Sequence, residues 1–147
     1  MDTHIQEFIE KKRIAIVGAS SQNEQKFGNS AARELIERGY EVLFVHPQAQ
    51  EINGQPCYPN LAAVTDMADA VWVCIPPSGG EAVLRDAAEA GFKNVWLQQG
   101  ASTPELLQVG KQLELDMVSG KCILMYAEPV GSYHKFHQVV WKVFGQY

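Results

Sequence analysis

Apolar and polar positions change period several times along the chain, and each change marks an element. Arg13 to Val17 is a short, nearly continuous apolar run that reads as a buried strand. Ala32, Leu35, Ile36 and Gly39 then recur at i, i+3, i+4 and i+7, the period of a helix covering one face of a sheet, and Gly39 stops that helix. Glu41 to Val45 is a second β-branched and aromatic run, closed by His46-Pro47. Gln48 to Asp69 carries Gly54, Pro56, Pro59 and Asn60, so it predicts mostly loop, with one short helix near Leu61 to Val64. A third strand, Ala70 to Ile75, runs into Pro76-Pro77. A helix from about Gly80 to Ala90, ended by Gly91, leads to a strand from Asn94 to Leu97 and then to Gln98-Gln99-Gly100. The next helix announces its start: Ser102 or Thr103 can cap it, Pro104 suits its first turn, and Ser102 with Glu105 has capping-box spacing. Asp116 to Val118 is a fifth, short strand.

Strands alternating with helical patterns predict an α/β protein, a Rossmann-like doubly wound parallel sheet of five strands. Right-handed crossovers favour the order 3-2-1-4-5. In GSYHKFHQVVWKVFGQY, Tyr133, Phe136, Val140, Val143 and Phe144 have helical spacing, which predicts an amphipathic C-terminal extension docking on the body or on a neighbouring subunit. The 147 residues suffice for one domain with a real core, about 13–125, and a tail of about 126–147. Exposed aromatics in that tail, Phe136 and Trp141, suit a homodimer or an unidentified protein partner, although they can equally pack on their own chain.

Charge narrows the function classes. Lys+Arg 12 against Asp+Glu 17 gives a net charge of -5, and the densest basic stretch is Lys11-Lys12-Arg13, so no nucleic-acid partner is expected. The longest apolar run, Ala70 to Ile75, is far below the ~20 residues that cross a bilayer, and MDTHIQEFIEKK has neither a basic n-region nor an apolar h-region. No membrane association is expected, and a cytoplasmic location is. The three cysteines are too far apart for a Cys-x-x-Cys pair and read as reduced thiols. Cys74 sits inside an apolar run and reads as core filling, whereas Cys57 and Cys122 lie near turn signals and read as accessible.

Doubly wound sheets bind ligands beyond the carboxyl ends of their strands, near the point where strand order reverses. That rule selects the loop after Val17, His46-Pro47, Pro76-Pro77-Ser78, Gln98-Gln99-Gly100, and Ser119 to Met125. These segments are rich in Gly, Pro or amides and short of acids, which suits a long, partly neutral ligand better than a metal ion. In VGASSQNEQKFGNS, nine residues separate Gly18 from Gly28. A helix starting near Asn29 or Ser30 offers backbone N–H groups and the positive end of its dipole to a phosphate or pyrophosphate. Gly18 allows the turn out of the strand, Gly28 close backbone approach, Ser20 and Ser21 extra donors, and Lys26 a cation. On this reading Gly18→Val abolishes nucleotide binding and leaves the fold intact. A dinucleotide site is the nearest alternative, but its Gly-x-Gly-x-x-Gly fingerprint and the later ribose-binding acid are both missing, since the second strand ends in His46-Pro47.

VGAS, KFGN, RGYEVLFVHP, INGQPCYPNL, VCIPP, VWLQQG and CILM, in that order, resemble the stand-alone coenzyme A-binding domain family, which is similar to the nucleotide-binding domain of the succinyl-CoA synthetase alpha subunit. The resemblance covers about Arg13 to Met125 and implies a Rossmann-like fold that binds coenzyme A or an acyl-CoA. It implies that Gly18, Ala19, Ser20 and Ser21 wrap the pyrophosphate, and that Lys26, Phe27, Gly28 and Asn29 form the far edge of that loop. Val45, His46 and Pro47 match the segment beside the adenosine. Ile75, Pro76 and Pro77 match the segment lining the nucleotide, and Gln98, Gln99 and Gly100 match the loop following the pantetheine arm. Pantetheine carries two amides, to which glutamine carboxamides can both donate and accept.

The chain departs from the family where Asn-Pro-Lys often follows the second strand: here it reads His46-Pro47-Gln48. A cation for the ribose 3′-phosphate is missing, unless His46, whose charge changes near neutral pH, replaces it. Dephospho-coenzyme A or another adenine nucleotide therefore stays open as the ligand. Cys122 follows the fifth strand at the edge where a coenzyme A thiol would end, so a mixed-disulfide role stands beside that of a small turn residue. No catalytic group is assigned: Glu128 is a single carboxylate without a partner. No metal site is assigned either, because His134 and His137 lack matched ligand spacing. The expectation is a binding, sensor or carrier protein. The alternatives are an NAD(H)-binding redox sensor and a small coenzyme A-dependent transferase with an unrecognised catalytic group.

Overall fold

The computed structural model describes residues 3–127, so the expected amphipathic tail, with His134, His137 and Glu128, lies outside the described residues apart from Tyr126 and Ala127. The elements run α1 (Thr3–Ile9), β1 (Arg13–Val17), α2 (Phe27–Glu37), β2 (Glu41–Val45), β3 (Glu51–Ile52), β4 (Gln55–Tyr58), β5 (Ala70–Val73), α3 (Gly80–Glu89), β6 (Asn94–Gln98), α4 (Pro104–Gln112) and β7 (Asp116–Lys121). Short 3-10 turns occupy Leu61–Val64, Pro77–Gly79 and Ile123–Met125.

Side chains alternate across the sheet with period two. Ile14, Ile16, Phe44, Trp72 and Trp96 pack on one face with α1, α2 and the turn at Ile123–Met125. Ala15, Leu43, Val71, Val73, Val95 and Leu97 pack on the other with Leu61, Val64, α3 and α4. Both faces of the sheet are covered, as a doubly wound α/β fold requires.

The strand order is β3-β4-β2-β1-β5-β6-β7, and only the β3/β4 pair is antiparallel. The five expected strands are β1, β2, β5, β6 and β7, and they lie in the order 2-1-3-4-5. This corrects 3-2-1-4-5. The third expected strand does not continue outward past β2, because the hairpin β3–β4 occupies that edge, with Phe44 beside Cys57 and Val45 beside Tyr58. Instead β5 pairs with β1, Ile16 beside Trp72, and with β6 on its other side, Trp72 beside Trp96. All four β5 residues, Ala-Val-Trp-Val, are buried in this central position. The reversal therefore falls between β1 and β5.

Two elements exceed the sequence reading. The hairpin turns at Asn53-Gly54, with φ of 54° and 76°, the left-handed pair a two-residue hairpin loop needs. Helix α1 buries Ile5, Phe8 and Ile9, sets Phe8 edge-on to Trp96 at a centroid distance of 5.2 Å, and accepts a 2.9 Å hydrogen bond from the Tyr40 hydroxyl at Ile9 O. At α4 the cap is Thr103, whose Oγ1 accepts from Leu106 N–H at 3.1 Å. The buried Arg38 ties the end of α2 to the chain after β7 by donating from Nη1 to Leu124 O at 3.0 Å and to Ala127 O.

Candidate functional site

The loop after β1 is shaped from within. Asn29 is fully buried, although the sequence places it at the loop's ligand-facing edge. Its Oδ1 accepts from Ser20 N–H at 2.7 Å and its Nδ2 donates to Ser20 O at 2.8 Å. The Ser20 Oγ accepts from the N–H of Gln22 at 3.0 Å and of Asn23 at 2.9 Å, folding the loop tip over itself. Helix α2 begins at Phe27, two residues earlier than expected, behind an extended Lys26 that makes no side-chain cap. The positive end of its dipole is thus left for a ligand at the loop.

The two glycines serve packing. A Cβ on Gly18 would lie 2.5 Å from Cys74 O and 2.7 Å from Cys74 Sγ, at a φ of +127°. One on Gly28 would lie 2.8 Å from the same sulfur and 3.2 Å from Gly18 O. Both glycines make room for Cys74, which closes the gap between β1 and β5 by donating from its thiol to Val17 O at 3.5 Å. Burial pushes the Cys74 thiol up to about 12, against the opposing pull of nearby Lys26.

A cleft of about 480 Å³ opens at the β1/β5 reversal, at the carboxyl end of the sheet. Ten expected residues line it: Gly18, Lys26, Phe27, Gly28, Ile75, Pro76, Gln98, Gln99, Gly100 and Cys122. Ser20, Ser21 and His46 line a second, smaller cleft on the other side of the loop tip, with Gln22, Gln48 and Ala49. Ala19, Asn29 and Val45 are buried, and neither they nor Pro47 and Pro77 line either cleft. Cys74 and Ala101 join the first cleft unforeseen. An apolar strand end at a crevice is the signal that would have singled out Cys74. The accessibility expected of Cys122 is corrected, since it is only 1% exposed, packed under the turn that begins at Ile123.

Gln98 is the best-defined polar group here. It is 7% exposed, and its Oε1 accepts from Trp72 Nε1–H at 3.1 Å and from Ile123 N–H at 3.0 Å. Two donors converging on one atom identify that atom as the oxygen, so the amide orientation is set by the protein. The Nε2 group makes no hydrogen bond among the described residues. A buried amide whose oxygen is held in this way keeps its two N–H donors for another acceptor. Gly100, at φ +93°, allows the turn that returns Ala101 N–H to Gln98 O at 2.8 Å.

The protein is thus a doubly wound α/β sheet with a crevice at its strand-order reversal, and a helix start beside a lysine and a fixed amide at that crevice. A family model described as a CoA binding domain matches residues 12–128, and the chain belongs to that family. An ADP-forming acetate–CoA ligase I of Archaeoglobus fulgidus is 28% identical over 138 residues, covering 87% of this chain and 20% of the ligase. The chain therefore spans about one fifth of that relative's length. A conserved hypothetical protein from Pyrococcus furiosus superposes with a TM-score of 0.71 at 37% identity, over 76% of this chain and 96% of that one. The apo form of a dinucleotide-forming acetyl-coenzyme A synthetase 1 from Candidatus Korarchaeum cryptofilum gives a TM-score of 0.60 at 26% identity, over 71% of this chain and 25% of that one. Among the described residues no helix is long and apolar enough to cross a membrane.

Proposed function

We propose that this protein binds coenzyme A or an acyl-CoA in the cleft at the β1/β5 reversal, and that it acts as a binding, sensor or carrier protein. The observation that carries this reading is Gln98: a buried carboxamide that lines the cleft and whose oxygen is held by Trp72 and Ile123, leaving its nitrogen to donate. Pantetheine supplies the acceptors such a donor needs, since it carries two amide carbonyls spaced by short alkyl segments. Phe27, Ile75 and Pro76 give that arm apolar walls, while Lys26 and the start of α2 suit the diphosphate. Family membership and the likeness to an acetate–CoA ligase support the choice of nucleotide. Because only a fifth of that ligase is matched, the property carried over is coenzyme A binding, not ligation.

Thermal unfolding with coenzyme A, acetyl-coenzyme A, NADH or ATP in parallel tests the reading. Ligand at about one hundred times its dissociation constant adds about 2.7 kcal/mol to stability. The expected result is a rise in Tm with the two coenzyme A compounds that exceeds the rise with ATP or NADH. A rise with NADH alone would assign the cleft to a redox nucleotide, and no rise with either coenzyme A compound would overturn the proposal.

A further inference from the structure

The two clefts beside the opening loop differ in charge. The smaller one, about 340 Å³ beside the end of β2, is lined by Ser20, Ser21, Gln22, His46, Gln48 and Ala49, with no lysine or arginine among them. His46 Nδ1 accepts from the backbone N–H of Gln48 and of Ala49, both at 3.1 Å. An N–H at Nδ1 would face two other N–H donors, so the ring carries its proton on Nε2. Ser20 Oγ is likewise an acceptor for two backbone N–H groups, which leaves its own O–H to donate. Single neutral donors of this kind pair well with hydroxyl oxygens. A phosphate dianion is instead held by arginine, lysine or a helix start, and Lys26 and the start of α2 belong to the larger cleft.

In doubly wound nucleotide-binding folds the end of the second strand faces the ribose, and the charge of the residue there selects for or against a phosphate on it. We propose that the smaller cleft takes the ribose end of the nucleotide and reads no phosphate monoester on it. Dephospho-coenzyme A is then bound about as tightly as coenzyme A. The inference rests on the coenzyme A reading above and adds which part of that nucleotide the chain discriminates.

Calorimetric titration of the full chain with coenzyme A and with dephospho-coenzyme A, at low and at physiological salt, tests it. The two affinities should agree within about threefold, and their ratio should change little with salt, because no lysine or arginine among the described residues lines this cleft. Gln48 is exposed and lines this cleft, so Gln48→Lys should favour coenzyme A over the dephospho form by about fivefold at low salt. Coenzyme A binding the unaltered chain about tenfold or more tighter than the dephospho form would overturn the inference. So would an unchanged ratio in Gln48→Lys, which would put the ribose elsewhere. Binding of neither compound would instead overturn the coenzyme A reading itself, and this inference with it.

Discussion

The side chains of Asn29 and Asn53 hold each other behind the opening loop: Asn29 Nδ2 donates to Asn53 Oδ1 at 3.0 Å, and Asn53 Nδ2 donates to Asn29 O at 3.1 Å. Arg33 Nη1 adds a 3.3 Å bond to the same Asn53 oxygen. The tip of the hairpin at the sheet edge thus buttresses the loop that borders both clefts. Asn29→Ala leaves the part-buried N–H and C=O of Ser20 without their partners, an expected loss of about 1–3 kcal/mol in urea unfolding. Asn53→Ala, at a partly exposed turn, should cost about 1 kcal/mol. It should also speed amide hydrogen exchange in residues 19–25 more than in β5, whereas equal changes in both would mean the buttress acts on the whole fold.

Gly18→Val should unfold or strongly destabilise the protein, by on the order of 3 kcal/mol or more, since a Cβ there meets the Cys74 backbone at a left-handed φ. The sequence reading, in which a side chain at Gly18 blocks the ligand and spares the fold, is corrected by this geometry. A variant with an unchanged denaturation midpoint and lost binding would restore that earlier reading.

At Gln98 the two ends of one amide separate stability from binding. Gln98→Leu strands the buried N–H groups of Trp72 and Ile123 and should cost roughly 2–5 kcal/mol. Gln98→Glu keeps an acceptor for both, removes the Nε2 donor and adds a negative charge to the cleft. Calorimetry should show it weakening coenzyme A by about tenfold or more, with a smaller loss of stability than in the leucine variant. Equal affinity in Gln98→Glu and the unaltered chain would exclude Nε2 as a ligand donor.

The Cys74 thiol is pushed up to about 12 by burial, so the folded state keeps its proton over a range in which the unfolded chain gives it up. Its contribution is fully present below the ordinary thiol value of about 8.5 and is lost as pH rises from there toward 12. Stability in urea should therefore decline through the alkaline range. Part of that slope should vanish in Cys74→Ala and a smaller part in Cys57→Ala, whose thiol burial also pushes up. Iodoacetamide at pH 8 should modify Cys74 far more slowly than a free thiol, and fast labelling would contradict its burial.

The strands β1, β2, β5, β6 and β7 are legible as short apolar runs because both faces of the sheet are covered, and α2, α3 and α4 through the period that burial of one helix face imposes; both are properties of neighbours in sequence. Helix α1, which buries Ile5, Phe8 and Ile9, and the hairpin, which turns at Asn53-Gly54, lie outside that reading. The expected site positions followed from the rule that ligands lie beyond the strand ends together with the family resemblance, and ten of the eighteen line the larger cleft.

What sequence determined by itself was therefore local: that β1, β2, β5, β6 and β7 are strands, that α2, α3 and α4 are helices, and which side chains stand at the carboxyl edge. The tertiary structure alone decided the order of the strands, because β5 had two possible neighbours until the hairpin took the edge of β2. It alone buried the Asn29 side chain, because its partners Ser20 and Asn53 lie nine and twenty-four residues away. The same holds for Gly18, since the atom that forbids a side chain there belongs to Cys74, just past the end of β5. Interactions between distant segments carry no sequence period, so they become readable only once the chain has brought them together.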